Sequence, residues 1–221
     1  MTKLVLYGVK VSAFVAKVRI VLDHKSLEYE ELAPPDGYGS DAYRAIIPAG
    51  SVPGLTVDGA PLHDSNAIVE FLDDLVTEPS LRPKDALDIA RMRALLGFHD
   101  TRLEAAARTL FPVIKGGDGA EAGLSAISAA LQRLDEILAA MEARRPAGPF
   151  LFGAGPTLAD LAYPCTLQMA EMMADNIGKP LVIPPRIADW RAASAEIPAV
   201  ERSLAIAGEA MANWMAGFRK A

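Results

Sequence analysis

The sequence predicts two units: a small mixed α/β unit over residues 1–78 and an all-helical unit over 85–221. Three observations predict them. A strand–helix–strand opening requires a parallel strand pair bridged by a crossover helix. A later strand pair meets at Asp58-Gly59, a dipeptide that tolerates the positive φ of a tight hairpin turn. Beyond about residue 84 only helical periodicity remains.

The elements follow in order. "KLVLYG" (3–8) is a short, apolar, β-prone run closed by glycine. "SAFVAKVRIVLDHK" (12–25) reads as a helix, because Phe14, Val18, Val21 and Leu22 fall on one face and Ser12 stands at its N-cap. "LEYEEL" (27–32) is the second strand. The turn-rich "APPDGYGS" (33–40) leads into a short helix over 41–46. The hairpin spans 54–64, and "SNAIVEFLDDL" (65–75) is a helix with Ile68, Val69, Leu72 and Leu75 on a shared face. "TEPSLRPK" (77–84) is the expected linker. Residues 85–114 form one long helix or two close ones, broken by "GGDG" at 116–119. An amphipathic helix follows over 123–143, then a loop over 144–156, the most apolar helix over 157–173, and two last helices over 183–197 and 199–218.

Composition narrows the function. The chain is 51% apolar, which suits a folded core, and carries a net charge of −6. Nucleic acid is a poor partner for that charge, since phosphate binding needs clustered Lys and Arg. The apolar runs are short and interrupted by charge, so no membrane span is expected. The N-terminus passes straight into a strand-like run, with no signal-peptide pattern. The single cysteine, Cys165, precludes an intrachain disulfide and a cysteine-based metal cluster. A reducing, cytoplasmic setting without a metal is the expectation.

The stretch 48–65, "PAGSVPGLTVDGAPLHDS", carries the chemistry. A proline directly before a strand stiffens the chain. With Val52–Pro53 cis, the backbone turns sharply and presents the N–H and C=O of Val52 to an extended peptide ligand. Asp64-Ser65 opens the next helix, whose free N–H groups favour a carboxylate, while Asp64 suits an ammonium. Ser12 opens the first helix, where hydroxyl and N–H donors would stabilise a thiolate.

These residues resemble the soluble, cytosolic-type glutathione S-transferases. "LYGVKVSAFVAKVRIVL" resembles the first strand and helix of serine- and cysteine-type members. "PAGSVPGLTVDGAPLHDSNAIVEFLDD" resembles their valine-proline segment, hairpin and acid-serine pair. "GPTLADLAYPC" resembles the capping box of the C-terminal domain, and "PPRIADWRAASAEIPAV" the tail. The resemblance implies a thioredoxin-like glutathione domain over 1–78, with a mixed βαβ-ββα sheet, and an all-α domain over 85–221 that supplies an apolar electrophile pocket. It implies a homodimer that conjugates glutathione to small apolar electrophiles in detoxification. Ser12 would stabilise the thiolate and Val52 hold the cysteinyl backbone beside cis Pro53. Asp64 and Ser65 would hold the γ-glutamyl end; Ser51 and Tyr38 stand where the glycyl end falls. Ser51 replaces a frequent basic or amide residue, Ile47 a usual asparagine and Ala13 a frequent proline. The subclass stays open. So do glutathione-dependent isomerisation, ether cleavage or dehalogenation, and a non-catalytic interaction module of the same fold.

Plainer roles stand beside these. Ser12, Asp64 and Ser65 are also good helix-capping residues. Pro53 also suits an edge strand in trans. Tyr7, at the end of the first strand, is a rival to Ser12 as the activating hydroxyl, though aromatics also favour strands. Thr157 and Asp160 read as a structural capping box, and Cys165 as a small buried hydrophobe. His24 and His63 are surface or structural, and His99 is a candidate pocket residue. Met169, Met172 and Met173 read as core, and Arg144-Arg145 as a solvated helix end.

Overall fold

In the computed structural model, which describes residues 2–142 and 147–218, the first unit is built on a sheet of four strands in the order β2-β1-β3-β4. β1 (Leu4–Tyr7) pairs in parallel with β2 (Glu30–Leu32) and antiparallel with β3 (Gly54–Val57). β3 turns through Asp58-Gly59 into antiparallel β4 (Ala60–His63). Both turn residues have positive φ, 50° and 88°, as a primed two-residue turn requires. β2 starts later than the sequence pattern suggests. The N–H of Leu27 donates to Leu22 O at 3.0 Å in the turn leaving the first helix, so it cannot join the sheet.

α1 (Ala13–His24) is the central helix of the molecule. It packs on α3 (Ser65–Leu75), then on three helices of the helical unit, Leu158–Ala162, Pro164–Asn176 and Pro198–Ala216. One buried face was expected, but Lys17 and Arg19 are buried as fully as Val18 and Ile20, because protein covers both sides. Each buried cation has an anionic partner. Lys17 Nζ lies 2.9 Å from Asp100, Arg19 forks onto Glu31 at 2.6 and 2.8 Å, and Lys25 Nζ lies 2.6 Å from Asp73. Such pairing is what makes charge burial tolerable.

The segment expected as a linker is docked. Leu81 is buried; its N–H donates to Asp73 Oδ1 at 2.9 Å, and its carbonyl accepts from Leu158 N at 2.9 Å. The two units therefore share a core.

The helical unit departs from the sequence pattern at two points. Residues 85–114 are neither one helix nor two: α4 (Ala86–Phe98) passes through a π-helical turn (His99–Leu103) into α5 (Glu104–Arg108) and α6 (Leu110–Ile114). Residues 157–173 divide at Pro164 into α8 (Leu158–Ala162) and α9 (Pro164–Asn176). Proline has no N–H to continue the helix and suits a first helical position. α7 (Ala120–Glu142), α10 (Pro185–Ala195) and α11 (Pro198–Ala216) complete the unit, and α2 (Asp41–Arg44) is the short helix of the first. Thr157 and Asp160 form the expected capping box. Arg144-Arg145 lies outside the described residues.

Candidate active site

The sheet register decides where the site lies. Tyr7, the last residue of β1, pairs with Gly54, the first of β3, and Gly54 pairs with His63, the last of β4. Gly8 N donates to Leu32 O at the end of β2. Four chain segments therefore meet at one end of the strands: 8–12 to Ser12, 33–40 with Tyr38, 51–53 with Val52-Pro53, and Asp64-Ser65.

Two glycines let these segments close up. A Cβ on Gly8 would lie 2.5 Å from Val15 Cγ1, so only glycine brings the start of α1 against the end of β1. A Cβ on Gly54 would lie 2.5 Å from Tyr43 Oη. That hydroxyl instead donates to Ser51 O at 2.9 Å, anchoring the segment before the Val52–Pro53 peptide, which is cis. Burial, with Tyr7 beside it, pushes the Tyr43 phenol up to about 12, so it remains a donor at neutral pH.

Ser12 caps α1 and is buried, yet its hydroxyl is not saturated. It accepts from Val15 N at a long 3.4 Å, and its own proton has no acceptor among the described residues. It lines a cavity of about 570 Å³, together with Tyr38, Ser51 and Val52. That volume suits a small-molecule ligand. The structure thus brings four of the proposed site residues onto one wall. The opposite wall belongs to the helical unit: Glu104, Arg108, Phe111, Lys115, Met169 and Trp214. Met169, expected as core, contributes to this wall, while Met173 is fully buried.

Asp64, Ser65 and Pro53 do not line this cavity. Asp64 is the N-cap of α3 at φ 71°, its Oδ1 accepting from Asn66 N at 2.9 Å and Ala67 N at 3.1 Å. Ser65 is buried directly behind it. Tyr7 is also outside the cavity, its ring 5.9 Å from that of Tyr43.

Sequence patterns gave no sign of a buried polar chain behind the α3 start. Asn66 accepts from Lys17 Nζ at 2.6 Å and donates to Asp100 Oδ2 at 2.8 Å. Asp100 meets His99 Nδ1 at 2.6 Å, and His99 Nε2 meets Thr166 Oγ1 at 2.7 Å. Burial, with Lys17 adding to it, pushes His99 down to about 4 against the pull of Asp100. His99 is therefore neutral and structural, not a cavity residue. Cys165 is buried, with its thiol raised to about 11 by desolvation, which makes it inert. Among the described residues no group of three or more His, Cys, Asp or Glu is placed to hold a metal, and no helix is long and apolar enough to cross a membrane.

Residues 6–80 match the glutathione S-transferase N-terminal domain, and residues 124–196 match the glutathione S-transferase C-terminal domain. The probable glutathione S-transferase BZ2 of Zea mays is 30% identical over 212 residues, covering 89% of this chain and 88% of its own. The chain belongs to the glutathione S-transferase family. The maleylpyruvate isomerase of a Ralstonia species is 33% identical over 154 residues, 65% of this chain and 71% of its own. The solved structure of a bacterial maleyl pyruvate isomerase, a zeta-class glutathione S-transferase, matches with a TM-score of 0.74 at 28% identity, covering 92% of this chain and 97% of that one. This glutathione S-transferase is thus an enzyme with glutathione as one substrate, a thioredoxin-like N-terminal domain and an all-α C-terminal domain.

Proposed function

We propose that Ser12 activates the glutathione thiol and that the thiolate attacks an electrophile held against the helical wall. The observation that carries this is the uncommitted Ser12 proton at a helix start, inside a cavity whose other wall offers Phe111, Met169 and Trp214 as apolar surface. A hydroxyl donor and first-turn N–H groups stabilise the sulfur anion and lower its pKa from an ordinary value of about 8.5. The cavity then holds sulfur and electrophile together, so the encounter becomes intramolecular. The backbone of Val52 pairs with the cysteinyl unit beside Pro53. Asp64 takes the γ-glutamyl ammonium, and Ser65 with the α3 start takes its carboxylate. Ser51 and Tyr38 face the glycyl end.

The test is the pH–rate profile. Ser12→Ala should move the acid limb of kcat/KM upward, toward the pKa of free thiol, while glutathione binding changes little. An identical profile in the variant removes Ser12 from the mechanism. A second reading, glutathione-dependent isomerisation, is favoured by the likeness to maleylpyruvate isomerase. Thiol counting separates the two, because conjugation consumes glutathione and isomerisation returns it.

A cytoplasmic setting is supported by the lone, buried, unpaired Cys165. A homodimer is supported by an apolar hollow between α4 and α7, lined by Leu95, Phe98, Ile137 and Met141. Sedimentation would show a single 23.5 kDa chain if the dimer does not form. Detoxification suits the apolar wall and is tested by the breadth of electrophiles accepted.

A further inference from the structure

The helical wall of the cavity is not simply apolar. Arg108 and Lys115 both line it, seven residues apart on one face, with Phe111 between them. The Arg108 guanidinium lies 5.4 Å from the centre of the Phe14 ring and 5.8 Å from that of Phe111. Lys115 Nζ lies 5.9 Å from the ring centres of both Trp214 and Phe218. Two exposed cations thus line the cavity, each held on aromatic faces.

Their hydrogen-bonding capacity is mostly open. Arg108 engages Glu104 through Nε alone, at 2.7 and 2.8 Å, and among the described residues its Nη groups have no acceptor. Lys115 Nζ has neither a carboxylate within salt-bridge distance nor a hydrogen-bond acceptor among the described residues. Glu104, buried and facing the same cavity, balances only one of the two cations. The ionised wall carries a net charge of +1, from Arg108 and Lys115 against Glu104, in a chain whose net charge is −6.

We infer that the second substrate is a carboxylate-bearing electrophile, whose planar body lies against Phe14, Phe111 and Trp214 and whose carboxylate is taken by Lys115 and the free Nη edge of Arg108. This rests on the proposed thiol addition and names the substrate class of that site. Ammonium and guanidinium groups are suited to a carboxylate, and a guanidinium edge can bind one with two parallel bonds. The aromatic rings give the adjoining body a flat apolar surface and hold both cations in place without neutralising them. In the addition, sulfur forms a bond to the β-carbon of an enone. The π pair moves to the carbonyl oxygen, and the α-carbon then takes a proton from water. The carboxylate takes no part in that exchange; it anchors.

The experiment compares an aryl enone bearing an oxyacetate group with its methyl ester, which has the same reacting carbons and no charge. With glutathione saturating, the acid should show a kcat/KM about 10-fold above the ester's, as a charge-assisted contact at a partly exposed site would give. In Lys115→Gln that ratio should fall at least 3-fold. In Lys115→Glu it should drop below one. Arg108→Gln is made together with Glu104→Gln, so that no buried carboxylate is left without its partner. Trp214 faces the cavity, so quenching of its fluorescence by each compound, without glutathione, reads binding independently of turnover. A ratio near one in the wild type, or one that survives both substitutions, overturns the inference. So does a Lys115 variant in which only the KM for glutathione rises, since the cations would then serve the tripeptide. If the acid quenches more tightly than the ester through Lys115 and neither compound is conjugated, the anion site stands and the proposed reaction falls.

Discussion

α1 and α8 both begin at a buried polar side chain, and the two starts are built to opposite ends. At α8, Asp160 is fully buried and accepts four hydrogen bonds: Leu151 N at 2.9 Å, Thr157 N and Thr157 Oγ1 at 2.7 Å each, and Trp190 Nε1 at 2.7 Å. No acceptor capacity points outward. At α1, Ser12 accepts one long bond and keeps its proton for whatever enters the cavity. A saturated group fixes three pieces of chain to one another. An unsaturated group at a cavity wall is available for a ligand. Both belong to helix starts legible in the sequence, Ser12 as an N-cap and Asp160 as the far half of the Thr157 capping box, and only the count of satisfied partners tells them apart.

The contrast is broken most forcefully at Asp160. Asp160→Ala leaves two backbone donors, a hydroxyl and an indole N–H without their acceptor. It should cost about 3–5 kcal/mol and lower the Tm by roughly 10 °C. Thermal melts read this directly, and an unchanged Tm would mean that the four contacts do not hold the fold.

His99 tests the saturated class by pH. An unfolded imidazole takes a proton near its ordinary 6.5, and the folded one only near 4. Between those values the unfolded chain binds more protons, so stability is full above 6.5 and is lost as pH falls toward 4. The loss should reach about 3 kcal/mol. Asp100, held below its ordinary 3.8 by the neighbouring His99 and Lys17, adds its own loss only below this window. His99→Gln should flatten the limb between pH 6.5 and 4 in a series of melts. A limb of equal steepness assigns the acid sensitivity elsewhere.

Ser12→Ala sharpens the contrast from the other side. It should lower kcat/KM about 100-fold, the scale of one lost donor to a developing or stabilised anion. The Tm should move little, because a bond of 3.4 Å is weak. A large Tm loss with activity per folded molecule intact would place Ser12 with Asp160. The smallest effect belongs to Thr157→Val, which removes one of the four donors and the cap, at about 1 kcal/mol. Calorimetry resolves it.

How far the sequence could be read depended on the range of the interactions. Ser12, Asp64, the Asp58-Gly59 turn and the Thr157–Asp160 capping box were legible because each is a contact within three residues. The cavity wall at Val52 was legible from an unusual dipeptide before a strand. The polar chain from Lys17 through Asn66 and Asp100 to His99 and Thr166 was not, since its members lie 34 to 83 residues apart wherever two elements meet. Lys17 stood on a helix face that would be solvated were the first unit alone. The split at Pro164 was readable in principle from the proline itself. Arg108, Phe111 and Lys115 were also readable as one face, at spacings of three and four, but nothing local says that the face looks into a cavity.

The π-helical turn at His99–Leu103 sets the phase of that wall. Each α-helical residue advances the side-chain direction by about 100°, so one surplus residue rotates everything after it by that angle relative to α4. Deleting a single residue from the turn should leave α4 seated and swing Arg108 and Phe111 off the cavity. The direction in which the enzyme's second wall looks is therefore written into a counting irregularity upstream, and the same count seats Ala107 and Leu110 in the core, so a shortened chain would lose packing along with the wall.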